Sequence, residues 1–210
     1  MIKLYLADIS TLCDPIENMK IIADLPPSRR EKILKYKLLN DRKRSLAAGL
    51  IINKILSENN IPPCSLYYGC NGKPYADGIF FNVSHSGSYA FGVSSDYEVG
   101  CDVEIIDKPH FDIAKRFFTE NECNYISNSE NKVSAFYKLW TIKESYLKLS
   151  GKGLKAPLNS FEIQFDTGRS LIIKDNKTEP CFATHLEFNG HSFAICSIEQ
   201  PPQEIKFINV

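Results

Sequence analysis

Between Val133 and Ser150 the chain sets Phe136, Tyr137, Leu139, Trp140, Tyr146 and Leu147 at helical spacing, with few charged residues among them. The pattern predicts one long helix, stopped by Gly151 and Gly153, because glycine readily takes the left-handed conformation that ends a helix. A helix that is apolar over much of its circumference has to be packed inside a layered domain. Its few charged residues then face an internal cleft or a ligand. Glu144 and Lys148 are four apart and share a face, a spacing that also suits an ordinary surface ion pair.

The remaining punctuation orders the chain around this helix. Ile2 to Ala7 reads as a strand. Pro26-Pro27 precedes Ser28-Arg29-Arg30-Glu31, which fits a capping box and predicts a basic helix to about Leu39. Asn40 or Asp41 then caps a second helix with Leu46, Leu50, Ile51 and Ile55 on its apolar side, ended by Asn59-Asn60 and Pro62-Pro63. Strands are expected at Leu66 to Tyr68, Ile79 to Ser84, Tyr89 to Ser94 and Val99 to Ile106. A helical block follows: Asp112 to Phe118, a second capping box at Thr119-x-x-Glu122, and the long helix. Strands return at Phe161 to Phe165, Ser170 to Lys174, Phe182 to Phe188 and Phe193 to Ile198. Strand, helices, strands, repeated once, predicts an α+β chain of two halves, 1–97 and 98–210, joined near Ser94-Ser95-Asp96-Tyr97.

Composition excludes more than it selects. The 210 residues are 43% apolar and 24% charged, with 25 basic and 25 acidic side chains. A core is affordable, and no global charge argues for nucleic acid or a membrane surface as partner. No run approaches the roughly 18 apolar residues of a membrane-spanning helix. Met1 to Asp8 is charged too soon for a signal peptide. Seven scattered cysteines with no CxxC pair read as reduced thiols, and a cytoplasmic location is expected. No phosphate-binding glycine loop, Rossmann fingerprint or HExxH is present.

Three constellations carry chemistry. In Asp102-Val103-Glu104 the carboxylates lie two apart on a strand and share a face; a magnesium ion would relieve their repulsion, although acidic alternation also occurs on half-exposed strand edges. In Asn82-Val83-Ser84-His85-Ser86-Gly87, hydroxyls, an imidazole and backbone N–H groups at a turn suit an oxyanion, or form a plain polar hairpin. Arg29, Arg30, Lys32, Lys35, Lys37, Arg42, Lys43 and Arg44 form a cation cluster that suits phosphate or a solvated helix face.

Taken together, these pieces resemble the 4'-phosphopantetheinyl transferases of the surfactin-synthetase type. The matching stretches are Phe81 to Gly87, Gly100-Cys101-Asp102-Val103-Glu104, Arg116-Phe117-Phe118-Thr119-x-x-Glu122, and Phe136 to Leu154 with Trp140-Thr141-x-Lys143-Glu144-Ser145-Tyr146-x-Lys148 at its centre. The helix from Pro27 to Ala48 and Gly72-Lys73-Pro74 add to the likeness, which leaves only the last dozen or so residues unaccounted for.

The resemblance implies two similar α+β halves related by a pseudo-twofold axis, with coenzyme A between them. It implies Asp102, Glu104 and Glu144 as ligands of Mg²⁺, with Mn²⁺ as an alternative, and Lys148 beside the pyrophosphate. Arg29, Lys32, Ser45 and His85 stand where the 3'-phosphate is held, with Lys73 and Ser84 nearby. Arg29 replaces a common lysine and Ser45 a common threonine, so charge and hydroxyl are kept. The implied reaction moves the 4'-phosphopantetheine arm of coenzyme A onto a serine of an apo acyl or peptidyl carrier protein, with Glu144 as metal ligand, base or both. A non-catalytic coenzyme A-binding relative and a different magnesium-dependent nucleotide enzyme are the rival classes. A monomer is expected. The carrier is expected along the cleft edge, on exposed apolar residues of the helices near Phe117, Phe118 and Glu122, or on the basic residues between Lys35 and Arg44.

Overall fold

The computed structural model describes residues 1–69, 71–109, 111–151, 157–165, 171–175, 181–200 and 207–209. The chain divides into two compact units, Met1–Asp96 with Ile205–Val210, and Tyr97–Glu204. Both mix helix with a mainly antiparallel sheet, as the α+β reading requires.

In the first unit, α1 (Pro27–Lys35) and α2 (Leu39–Glu58) accompany a sheet built from β1 (Lys3–Asp8), β4 (Phe80–Ser86), β5 (Tyr89–Ser95) and β11 (Phe207–Asn209), in the order β11-β1-β5-β4. A two-residue pair, β2 (Tyr67–Tyr68) with β3 (Pro74–Tyr75), stands apart from it. The inner face of α2 supplies Ala47, Ala48, Ile51, Ile52 and Ile55, which pack with Tyr5, Phe81 and Ala90 of the strands. Each fully buried isoleucine contributes about 1.5–3 kcal/mol. Gly92 in β5 makes this close fit possible: a Cβ there would stand 2.3 Å from Ile51 Cγ2.

The helix boundaries differ from the sequence reading. Ser28 caps nothing, because Pro27 already occupies the first helical position, where its missing N–H leaves nothing unsatisfied. Nor does Asn40 or Asp41 cap α2, which starts at Leu39 without a side-chain cap. The break after Lys35 contains neither glycine nor proline. Arg42 holds it instead, donating to Lys37 O at 2.7 Å and to Tyr36 O at 3.3 Å while its Nε reaches Asp14 at 2.9 Å. The chain's last strand also departs from the expected division at residue 97: β11 runs parallel to β1, pairing Leu4 with Phe207, and so belongs to the first unit.

The second unit contains β6 (Val99–Ile105), α3 (Phe111–Phe117), α4 (Glu120–Asn128), α5 (Lys132–Ser150), β7 (Phe161–Phe165), β8 (Leu171–Asp175), β9 (Cys181–Phe188) and β10 (His191–Ser197), with sheet order β6-β10-β9-β8-β7. The expected box at Thr119 and Glu122 is formed in full and starts α4. Asn131 caps α5 through Ser134 N, and Gly151, at φ 66°, ends it; Gly153 lies outside the described residues, as does Ser170. Leu139, Ile142, Tyr146, Phe161 and Ile163 form the core between α5 and the sheet. No described helix is long and apolar enough to cross a membrane.

Candidate active site

The second unit places its acids where β6 meets α5. Gly100, Asp102 and Glu104 alternate along β6 and share its helix-facing side. At Gly100 a Cβ would lie 2.1 Å from Ser145 O and 2.4 Å from Leu149 N. Only glycine lets the α5 backbone come this close, and one residue on along the same strand face Lys148 Nζ donates to Asp102 Oδ1 at 2.5 Å. Asp102 is 2% exposed, so it is not part of a solvent-facing acidic edge. Glu104, Glu144 and Lys148 are half-buried around it.

The electrostatics confirm that the acids are neighbours. Burial, then the charge of Asp102, pushes the Glu144 carboxyl up to about 7; Lys148 pulls it down and Glu104 adds to the rise. Burial disfavours the Lys148 ammonium, but the charges of Asp102 and its neighbours, Glu144 among them, outweigh it and hold the amine above its ordinary range. Three oxygen donors that repel one another suit a hard divalent cation by their chemistry. They are not drawn to one point, however: among the described residues no group of three or more His, Cys, Asp or Glu is placed to hold a metal.

What fixes the rotation of α5 is the residue beside Glu144. Lys143 is fully buried and pairs with Glu122 Oε1 at 2.8 Å, while its ammonium also donates to Leu158 O at 2.8 Å and Phe161 O at 3.0 Å. Glu122 completes the knot by accepting from Ile163 N and Thr119 N, both at 2.9 Å. With Lys143 locked inward, the next residue, Glu144, is turned toward β6. Glu122 (2% exposed) and Phe118 (6%) are therefore interior residues, and Phe117, at 38%, is the exposed apolar residue beside them.

A separate set lies in the first unit. Arg29, on the inner face of α1, donates from Nη2 to Ser45 O of α2 at 2.8 Å. Both side chains are buried, yet Arg29 Nε and Ser45 Oγ have no protein partner. An unsatisfied buried donor costs roughly 1–3 kcal/mol, which an oxyanion at this point would recover. The Lys32 ammonium lies below its ordinary range because of partial burial and then the Arg29 charge, which places the two cations together. Ser84 lies in β4 as the expected strand requires, paired with Phe91 of β5, but the strand runs on past it: His85 is paired with Ala90 rather than placed in a turn. A sheet-edge strand tolerates such polar residues, and Gly87, at φ 54°, makes the turn instead. Arg44 ties α2 to that turn by donating to Gly87 O at 3.2 Å. Lys73 lies over the Tyr75 ring at 5.5 Å. Of the basic run, Arg42 is engaged by Asp14 and Arg44 by Asp41. Sequence reasoning missed the Lys143–Glu122 pair and the packing role of Gly100, although the shared parity of Gly100, Asp102 and Glu104 was a usable signal for the latter.

The second unit thus sets a strand acid pair against a helical Glu and Lys, and the first sets a buried Arg beside a buried serine hydroxyl with no protein partner. Comparison with known proteins gives the family. Residues 98–196 match the model of the 4'-phosphopantetheinyl transferase superfamily. A 4'-phosphopantetheinyl transferase from Aneurinibacillus migulanus is 38% identical over 84% of this chain and 77% of its own length. The 4'-phosphopantetheinyl transferase Sfp of Bacillus subtilis is 28% identical over 92% of this chain and 91% of its own. The crystal structure of a Bacillus anthracis holo-(acyl-carrier-protein) synthase in complex with CoA (3',5'-ADP) is 19% identical over 50% of this chain and 97% of that one, with a TM-score of 0.44. The chain belongs to the 4'-phosphopantetheinyl transferase superfamily and resembles its surfactin-synthetase type.

Proposed function

We propose that this protein transfers the 4'-phosphopantetheine arm of coenzyme A to a serine hydroxyl of an apo acyl or peptidyl carrier protein and releases adenosine 3',5'-bisphosphate. The observation that carries the reading is the set of charges gathered where β6 meets α5: Lys148 Nζ donates to Asp102 Oδ1 at 2.5 Å, and the charges of Asp102, Lys148 and Glu104 all act on Glu144. Coenzyme A bears a pyrophosphate and a 3'-phosphate. The acids and lysine of the second unit suit the first group; Arg29, Lys32 and Ser45 suit the second, with His85, Ser84 and Lys73 as further candidates.

Asp102, Glu104 and Glu144 would hold Mg²⁺ or Mn²⁺, which would neutralise charge on the pyrophosphate. The serine oxygen attacks the β-phosphorus, its proton passes to Glu144 directly or through water, and the bond to the leaving bisphosphate breaks with its electron pair. Lys148 meets the charge that grows on the phosphate oxygens. The described cysteines are free thiols, which supports a cytoplasmic location, and we take the working unit to be a monomer.

The test is to incubate the protein with coenzyme A, Mg²⁺ and a panel of apo acyl and peptidyl carriers. Mass spectrometry should show one added phosphopantetheine, absent when the carrier serine is replaced by alanine and absent with Glu144→Ala. No mass gain on any carrier, from folded and metal-loaded protein, overturns the proposal.

A further inference from the structure

Of the nine residues of α1 only Arg29 and Ile33 are buried, and Ile33 enters a small cluster with Ile22, Leu25 and Leu46. One isoleucine seats the helix but does little to fix its angle against α2, because apolar attraction has no direction. The angle matters for what α1 carries. Arg29 lies six residues before the end of α1 at Lys35, and Ser45 six residues after the start of α2 at Leu39. Each therefore stands about 9 Å of helix away from the break between them. A turn of about ten degrees at the break moves one against the other by about 1.5 Å. That opens the 2.8 Å bond from Arg29 Nη2 to Ser45 O beyond hydrogen-bond range.

We propose that Arg42 and Asp14 are positioning residues for the 3'-phosphate of coenzyme A: they clamp the break between α1 and α2, and the clamp sets the spacing of Arg29, Lys32 and Ser45. The clamp rests on the phosphate assignment made above. The Arg42 guanidinium joins Tyr36 O and Lys37 O within the break to Asp14 in the segment between β1 and α1. Asp14 is itself anchored, accepting from Ile16 N at 3.1 Å on its side chain and from Glu17 N at 3.1 Å on its carbonyl. The two side chains are 12% and 13% exposed, so this is not one of the solvated pairs that contribute little. A planar fork with fixed donor directions holds an angle, which the rotating ammonium of a lysine does not. Arg42 stands on α2 three residues before Ser45, so the grip on the break and the hydroxyl move as one rigid piece. Both clamp residues act through Arg29 and Ser45, without touching the ligand.

Calorimetric titration of the whole chain with coenzyme A and with 3'-dephospho-coenzyme A provides the test, read as the ratio of the two affinities. Arg42→Met should lower the preference for coenzyme A about tenfold or more, the equivalent of one charge-assisted contact to the phosphate lost. Asp14→Asn should lower it as well, and this variant separates the clamp from simple charge. Removing an acid makes the local potential more positive, so a general field would raise the preference for coenzyme A, whereas a loosened clamp lowers it. An Asp14→Asn preference at or above that of wild type overturns the proposal. So does a loss shared equally by both ligands, which is the mark of a unit merely destabilised. Where Arg42→Met does not fold, Arg42→Lys keeps the charge without the fork and should also lower the preference; a wild-type value there refutes the clamp. Wild-type protein that binds the two ligands equally removes the phosphate assignment and the clamp with it, while the carrier assay still decides the transferase reading.

Discussion

Replacing Glu122 by Gln should destabilise the protein more than any surface charge change. The substitution leaves Lys143, fully buried, with two carbonyl acceptors but no counter-charge, and puts an amide N–H₂ where one of two backbone N–H groups now finds an acceptor. Burial already pushes the Lys143 amine below its ordinary range, and the Glu122 charge is what opposes that shift. Removing one partner of a buried pair costs about 3–5 kcal/mol. For a chain of this size each kcal/mol lowers Tm by roughly 2–4 °C, so a fall of about 6–20 °C is expected. Thermal unfolding followed by circular dichroism measures it. Asp112→Asn is the control, because the Lys115–Asp112 pair is 77% and 98% exposed and such pairs contribute little. The combined Glu122→Gln, Lys143→Met variant should recover part of the loss, since the stranded charge is gone. A Glu122→Gln Tm within about 2 °C of wild type would refute the view that this pair holds α5 in place.

Gly100→Ala should abolish transfer and lower stability by at least the 1–3 kcal/mol typical of overpacking, because its Cβ meets α5 backbone rather than a movable side chain; unfolding and turnover read both. The Arg29→Ala, Lys32→Ala double variant should weaken coenzyme A far more than 3'-dephospho-coenzyme A in a binding assay, and equal losses would reduce these cations to a general field. His185, held down to about 3 by burial and then by the Lys138 charge, gives a pH dependence. The unfolded state binds its proton below about 6.5 and the folded state does not. Stability should therefore be full above that pH and fall toward pH 3, with at most about 2 kcal/mol lost by pH 5. In urea titrations at several pH values, a His185→Phe variant should lose that part of the slope.

Local pattern made much of this legible. Phe161–Phe165 and the long helix were readable because period and stop signals agree, and Thr119-x-x-Glu122 because a capping box is a local bond. Nonlocal facts were not legible. Lys143 and Glu144 are adjacent and both charged, and the sequence does not say which of them turns inward; Glu122, twenty-one positions earlier, decides it. The break between α1 and α2 depends on Arg42 reaching Asp14, and the placing of β11 on a partner some two hundred residues away. His85 and Ser86 looked like a turn because a polar run on an edge strand has the composition of a loop.

The pairing of β11 with β1 bears on the order in which the chain can assemble during synthesis. The strand beside β1 belongs to the far end of the chain, so the first unit's sheet stays incomplete while residues 97–204 are made and fold. Throughout that interval β1, four of whose six residues are buried in the finished sheet, offers an open backbone edge to any strand nearby. Shortening the tail before Phe207 would make that interval permanent. The damage would then appear as clumping of newly made chains rather than as a faulty acid site.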